Sequence, residues 1–270
     1  MYIRTPDIPL DSGPLLWSRI PEFSMTYNGA SAVIPYVEHF LNAVINKVRA
    51  DFCADRPALK EELTIFIKQE SHHSQYHHRF NKRLFETIPA LKAVSDQMAA
   101  DLKELLARRS LAFSVAYCVG FESIATYDSK YLFEECADLF EGADPGGANL
   151  LRWHVAEEFE HRAVCFNAFR AVSGNYFLRL YASLYAFFHI GGAFKRAESI
   201  VLQHYAKDLS PEASAESFRR SKGLFRRHLR YLVPRMLKVF TPGYNPATVM
   251  TPPCIQKALD DFRLSVAKVP

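Results

Sequence analysis

His154-Val-Ala-Glu-Glu-Phe-Glu-His161 places three candidate metal donors on one stripe of a helix. At 3.6 residues per turn His154, Glu158 and His161 share a face, because residues three and four apart are neighbours on a helix surface. A second stretch, Glu70-Ser-His-His73, repeats the Glu-x-x-His spacing of Glu158 and His161. Two more carboxylates stand singly in apolar settings, Glu38 in Val-Ile-Pro-Tyr-Val-Glu-His-Phe and Glu122 in Tyr-Cys-Val-Gly-Phe-Glu-Ser-Ile-Ala. The chain order is therefore Glu, Glu-x-x-His, Glu, Glu-x-x-His. That is the ligand order of a four-helix bundle enclosing two metal ions.

Working outward, each motif sits in a long helical pattern. Val33, Val37, Phe40, Leu41, Val44 and Val48 recur at three- and four-residue steps, which predicts a helix from Ser31, with Ser31 as its cap. Pro57 opens a second helix that runs to about Phe85, and Pro89 opens a third segment. Residues 100 to 140 contain no Pro and only Gly120, so one long helix is expected there. The Glu141-Gly-Ala-Asp-Pro-Gly-Gly-Ala stretch is a clear break, and helix is expected again from about Asn149 to Ser173. Further helices are predicted from Tyr176 to Tyr205, from Glu212 to Phe240, and at the C-terminal end. The expectation is an all-α, ferritin-like four-helix bundle with additional C-terminal helices. It forms a single domain of residues 1–270: an irregular Pro-rich arm over 1–29, the metal-binding bundle over 30–175, and accessory helices over 176–270.

Composition narrows the classes. The 270 residues are 49% hydrophobic and 23% charged, as in an ordinary globular protein, which excludes a disordered or collagen-like chain. A net charge of +4 is too weak to imply nucleic acid. Five scattered cysteines without a CxxC fit a reducing compartment, and no signal-peptide-like core opens the chain, so a cytoplasmic location is expected. No run of 18 apolar residues occurs; Tyr176 to Phe194, interrupted by Arg179 and His189, reads as a buried helix.

The donor types also have a chemical rationale. Four carboxylates offset the charge of two divalent cations, and with imidazoles they suit iron or manganese better than thiolate-loving metals. No cysteine lies among them, which argues against structural zinc. In this order the set resembles that of the ferritin-like di-iron carboxylate superfamily, and the third histidine, His154, is similar to the arrangement in 4-aminobenzoate N-oxygenase. The chain as a whole, over roughly residues 30 to 250, resembles a bacterial family described as "predicted metal-dependent hydrolase". That family pairs these motifs with a Pro-Gly-Phe-His-Pro-like element near the C-terminus. Here the element is Pro242-Gly-Tyr-Asn-Pro246, with Tyr and Asn in place of Phe and His.

The resemblance implies two metal ions, iron before manganese or a mixed pair, with dioxygen as cosubstrate. The leading expectation is an oxygen-dependent oxygenase or oxidase acting on a hydrophobic or aromatic small molecule or a lipid, with an external electron donor. The alternative is a dinuclear hydrolase using a metal-bound hydroxide. Tyr76, His77, Tyr117 and Tyr127 are candidates for the surroundings of the ligands, with His77 at the rim. Glu157 and Glu160 lie off the Glu158 stripe and read as surface charges; His39 reads as structural.

Phe218 to Phe240 carries Arg219, Arg220, Lys222, Arg226, Arg227, Arg230, Arg235 and Lys238, and no acid occurs from Ser217 to Leu259. Interleaved with Leu224, Phe225, Leu229, Leu232, Met236 and Leu237, it reads as a basic amphipathic helix that could lie at the anionic inner face of a membrane, bent or ended at Pro234. The apolar helix from Tyr176 is then expected to line a substrate channel. A homodimer is the remaining partner expected; nucleic acid is not.

Overall fold

The computed structural model describes residues 1–264, and among them it contains α-helices and no strand. Their order is α1 (Pro21–Phe52), α2 (Pro57–Thr87), α3 (Leu91–Arg108), α4 (Leu111–Glu135), α5 (Ala137–Phe140), α6 (Pro145–Glu160), α7 (Val164–Val172), α8 (Tyr176–Ala206), α9 (Pro211–Val239) and α10 (Pro253–Leu264). The all-α expectation holds. The end of the expected accessory segment, residues 265–270, lies outside the described residues.

Helix boundaries differ from the sequence reading at four places, each for a physical reason. First, α1 begins at Pro21 and takes in residues 21–29 of the expected arm, because Pro21 supplies a preset φ at the first helical position. Ser31 is therefore buried inside α1 and is not a cap. Second, the helix expected over 100–140 is divided. Arg109 is extended, and the Ser110 hydroxyl accepts the Phe113 N–H at 3.2 Å, so a side-chain cap starts α4 where no Pro or Gly announces a stop. Third, the helix expected to reach Ser173 stops at Glu160. The carbonyl of Phe159, which a continuing helix would bond to the N–H of residue 163, instead accepts Arg162 Nη1 at 2.8 Å, and the chain turns through His161 before α7. Fourth, α9 passes through Pro234 to Val239. Both Pro234 and Arg230, whose carbonyl loses its helical partner, are exposed, so water can take that carbonyl.

Helix α4 is buried on most sides and forms the centre, packed by α6, α7, α8 and α9; α1 packs on α2, α3 and α8. The arm before α1 lies on the helices, burying Ile8, Leu10 and Trp17 against Phe23, Trp153 and their neighbours and Arg4 against Glu157. Helix α8 turns small residues inward: Ala182, Ser183, Ala186, Ala193 and Ala197 are buried, while Phe177 (74%) and Phe188 (70%) are exposed. The expected channel lined by its aromatics is thus not what α8 builds. Its inner face serves close packing, and no helix among the described residues is long and apolar enough to cross a membrane.

Two glycines permit that close packing. A Cβ on Gly29 of α1 would lie 2.7 Å from the backbone N of Glu198, and one on Gly120 of α4 would lie 2.7 Å from Cα of Ser183. By contrast, a Cβ on Gly191, on the exposed side of α8, meets nothing. Helix propensity alone favours Ala over Gly by about 1 kcal/mol at each helical site. At Gly120 the backbone contact should outweigh it, since overpacking costs roughly 1–3 kcal/mol. Thermal unfolding is expected to show a lower Tm for Gly120→Ala and a higher one for Gly191→Ala. A rise in both would mean that α8 and α4 do not meet at Gly120.

Candidate metal centre

The seven sequence candidates converge in the interior: Glu38 from α1, Glu70 and His73 from α2, Glu122 from α4, His154 and Glu158 from α6, and His161 from the turn that ends α6. All seven are buried, none above 3% exposed, which for charged types demands compensation. Six of them form two groups, Glu38–His73–His154–Glu158 and Glu70–His73–Glu158–His161, in which one donor atom from each residue lies within 4.8 Å of the others. His73 and Glu158 belong to both groups. Glu122 stands beside the second group, with Oε2 3.2 Å from His161 Nδ1.

The interatomic distances show how the groups interlock. His154 Nε2 lies 2.8 Å from Glu158 Oε1 and 3.6 Å from Glu38 Oε1. His73 Nδ1 lies 3.7 Å from Glu158 Oε1 and 3.9 Å from Glu70 Oε2. His161 Nε2 lies 3.1 Å from Glu70 Oε1 without hydrogen-bond geometry. Eight donor atoms in this set are buried and make no hydrogen bond: both oxygens of Glu38 and Glu70, Glu122 Oε1, Glu158 Oε2, His73 Nδ1 and His161 Nε2. Buried polar atoms are normally satisfied, and eight in one place converge as donors for a cation would.

His73 and His154 are each held from the other side. Glu157 Oε2 sits 3.0 Å from His73 Nε2, and Glu157 Oε1 accepts Arg4 Nη1 at 2.9 Å. Arg4 also binds Glu160 at 2.9 and 3.0 Å, and Glu160 accepts Gln69 Nε2 at 2.8 Å. His154 Nδ1 meets His77 Nε2 at 2.6 Å. Such outer contacts fix ring orientation and tautomer in metal sites. They correct the sequence reading, which put Glu157 and Glu160 at the surface and His77 at the rim: Glu157 and His77 are buried, and Glu160 is mostly so. His77 extends the Glu70–His73 stripe by one turn, a signal present in the spacing. Glu157 and Arg4 had none, because their roles depend on how α6 and the arm meet α2.

Tyr76 donates to the Pro6 carbonyl at 2.8 Å and touches the cluster only through Trp153, whose ring meets it at 4.7 Å and the His73 ring at 4.9 Å. Tyr117 pairs with His189 of α8 at 2.9 Å, and no hydrogen bond links Tyr127 to the seven residues. His39 is exposed and bonds Ser74 at 3.0 Å, a structural contact.

The electrostatics show what the cluster lacks. Burial, with Glu70 and Glu158 nearby, holds Glu38 well above the usual carboxylate range. Burial and the neighbouring Glu158 push Glu122 up to about 8; burial and Glu70 push Glu158 up to about 7. Glu70 goes the other way: burial opposes its ionisation, but contacts with His161 and His73 prevail and hold it below that range. Burial likewise opposes charging of His73, yet bonds to Glu157 and Glu70 lift it to about 10. Three of the four carboxylates in this dry interior thus lean towards neutrality for want of positive charge, and divalent cations would supply it. Carboxylate and imidazole donors without thiolate fit first-row divalent metals.

The family model described as "predicted metal-dependent hydrolase" matches residues 3–249. The chain belongs to that family. The match takes in the whole cluster and, beyond the resemblance read from the motifs, the arm that carries Arg4. Comparison with curated proteins and with solved structures gave no match. A family of metal-dependent enzymes and a buried Glu/His cluster that could hold divalent metal therefore meet in one chain.

Proposed function

We propose that the protein is a metal-dependent hydrolase working with two divalent ions held by Glu38, Glu70, His73, Glu122, His154, Glu158 and His161. The observation that carries this reading is the set of eight unpartnered buried donor atoms in a member of that family. Ions bound there would supply Lewis acidity and lower the pKa of a coordinated water. The chain's own residues prepare the place. Glu122 and Glu158, both raised so that they hold protons at neutral pH in part (Glu158) or for the most part (Glu122) without a cation, give up those protons as they become ligands. Glu157 and Arg4 hold His73 in one orientation. The rings of Phe66, at 4.8 Å from His161, and Trp153, at 4.9 Å from His73, wall the donors from bulk water.

One observation favours a second reading, the oxygen-dependent oxidation implied by the ligand order. The donors are all carboxylate and imidazole, stand mainly on helices and are backed by aromatic rings, a setting that suits redox-active iron or manganese. The two readings separate under anaerobic conditions. Metal-reconstituted protein is expected to hydrolyse members of a panel of nitrophenyl carboxylate and phosphate esters without dioxygen, with zinc or manganese sustaining turnover and Glu70→Ala or His161→Ala abolishing it. No anaerobic hydrolysis, together with dioxygen uptake by the reduced iron form, would replace the hydrolase with the oxygenase.

A lipid-surface contact through α9 is proposed in narrower form than its sequence suggests. Arg220 is engaged by the buried Glu22 at 2.8 and 3.1 Å, Arg227 by Asp138 at 2.9 Å, and Arg219 by Glu216, while Arg235 lies over the Tyr231 ring. Lys222, Arg226, Arg230 and Lys238 are exposed with no ion pair among the described residues, and Lys222, Arg226 and Arg230 continue into exposed Val233 and Leu237 on one stripe. Each free cation near an anionic leaflet contributes roughly 1 kcal/mol. Vesicle co-sedimentation is expected to show salt-sensitive binding to anionic lipid that is lost when Lys222, Arg226 and Arg230 are changed to Glu. Equal partition of the two proteins would remove the proposal.

A further inference from the structure

A cleft of about 330 Å³ lies between α7, the first turn of α8 and the turn 242–245, and two arginines but no acid line it. The Pro242-Gly-Tyr-Asn-Pro246 element supplies one wall, although none of its side chains is among the seven donors. Arg179 of α8 is 3% exposed and gives Nη1 to the Val239 carbonyl at 2.5 Å and Nη2 to the Thr241 carbonyl at 2.7 Å. Those bonds finish the end of α9, but both acceptors are neutral. No carboxylate pairs with Arg179 among the described residues, and a guanidinium stays charged at any ordinary pH. The want of acid is written into the sequence: none occurs from His161 to Ala197 or from Ser217 to Leu259, the two stretches that build the cleft. Burial accordingly lowers the Arg179 pKa, with only Tyr244 and Tyr176 opposing it. Arg170 of α7 lines the same cleft, exposed and without an ion pair among the described residues.

We infer that this cleft is a binding site for a small organic anion, whose acid group meets Arg170 and Arg179 and whose apolar body rests on Phe166, Tyr176 and Tyr244. The three rings stand 5.9, 5.5 and 5.5 Å from the Arg179 guanidinium carbon, close enough to hold the cation in place by attraction to their faces while offering an apolar lining. A buried charge is costly without a counter-charge, and the C-terminal end of α9 offsets only about half of one. An anion in the cleft would supply the rest. The volume is at the small end of ligand sites, which run to about 300–1,000 Å³, so it suits a single ring or short chain carrying an acid. Tyr244 donates its hydroxyl to Ser123 Oγ at 3.2 Å, and Ser123 follows Glu122 in α4, so the site backs onto the metal cluster. The inference does not depend on the metal reading, because both cations stand apart from the seven donors and are present in the metal-free chain.

The test is calorimetric titration of the full-length protein, metal-free and zinc-loaded, with phenylacetate, phenylphosphonate and benzyl alcohol. Both acids are expected to bind in either metal state, and the alcohol, which has the ring without the charge, is not. The tighter of the two acids identifies a carboxylate or a phosphoryl group as the natural one. Arg170→Gln removes an exposed cation that holds no other element, and it should weaken acid binding roughly 10–100-fold, the range for losing a hydrogen bond to a charged group. Arg179→Gln should abolish binding, but because Arg179 also finishes α9 the Arg170 variant carries the test if that protein does not fold. Binding of neither acid overturns the inference and leaves Arg179 as a helix cap alone. Benzyl alcohol binding as tightly as the acids, or an unchanged affinity in Arg170→Gln, overturns it as well. Acids that bind only after zinc is added are ligands of the ions and not of this cleft, which also overturns it. Failure of the protein to bind zinc while the acids still bind would instead count against the metal reading and leave the anion site standing.

Discussion

Four carboxylates buried in one dry helical interior form the constraint on which the rest of the structure depends. Glu38, Glu70, Glu122 and Glu158 are each 1% exposed or less, and removing even one ionised carboxylate from water costs several kcal/mol after relaxation. Three histidines offset part of that cost, yet Glu38, Glu122 and Glu158 still lean towards the protonated form. An apolar core of the same volume would be simpler to stabilise. A protein that keeps this arrangement keeps it for what the donors hold, and the unpartnered oxygens and nitrogens show where positive charge belongs.

Several features of the fold make sense as supports for that cluster. The close crossings at Gly29 and Gly120 bring α8 onto the backbones of α1 and α4, the two helices that contribute single glutamates. The arm before α1 sends Arg4 inward to Glu157, so a segment without regular structure takes part in orienting His73. Arg162 ends α6 by taking the Phe159 carbonyl, and the resulting turn sets His161 between Glu70 and Glu122.

Much of this was legible in the residues themselves. Glu-x-x-His at 70–73 and 158–161, the added His154, and single glutamates in apolar helices identify seven side chains that the fold brings together, because helical spacing alone decides which residues share a face. What lay beyond reach depended on contacts between elements. Glu157 faces α2 and not solvent because α6 packs there, whereas its place off the Glu158 stripe made it read as a surface charge. Helix ends were misread where a side chain competed for a backbone group, at Ser110 and at Arg162, since periodicity carries no information about such local hydrogen bonds. The basic face of α9 looked more uniform in sequence than it is, because the acids that engage Arg220 and Arg227 come from Glu22 and Asp138, far along the chain.

The central claim is that the buried cluster is a two-ion site. Anomalous diffraction from crystals of protein purified without chelator, recorded above and below the absorption edges of iron, manganese and zinc, tests it most directly. The account predicts two anomalous peaks, one within the Glu38–His73–His154–Glu158 group and one within the Glu70–His73–Glu158–His161 group, with Glu158 contacting both. Metal found only at the surface, or a metal-free interior in which the four carboxylates hydrogen-bond one another as neutral acids, would contradict it.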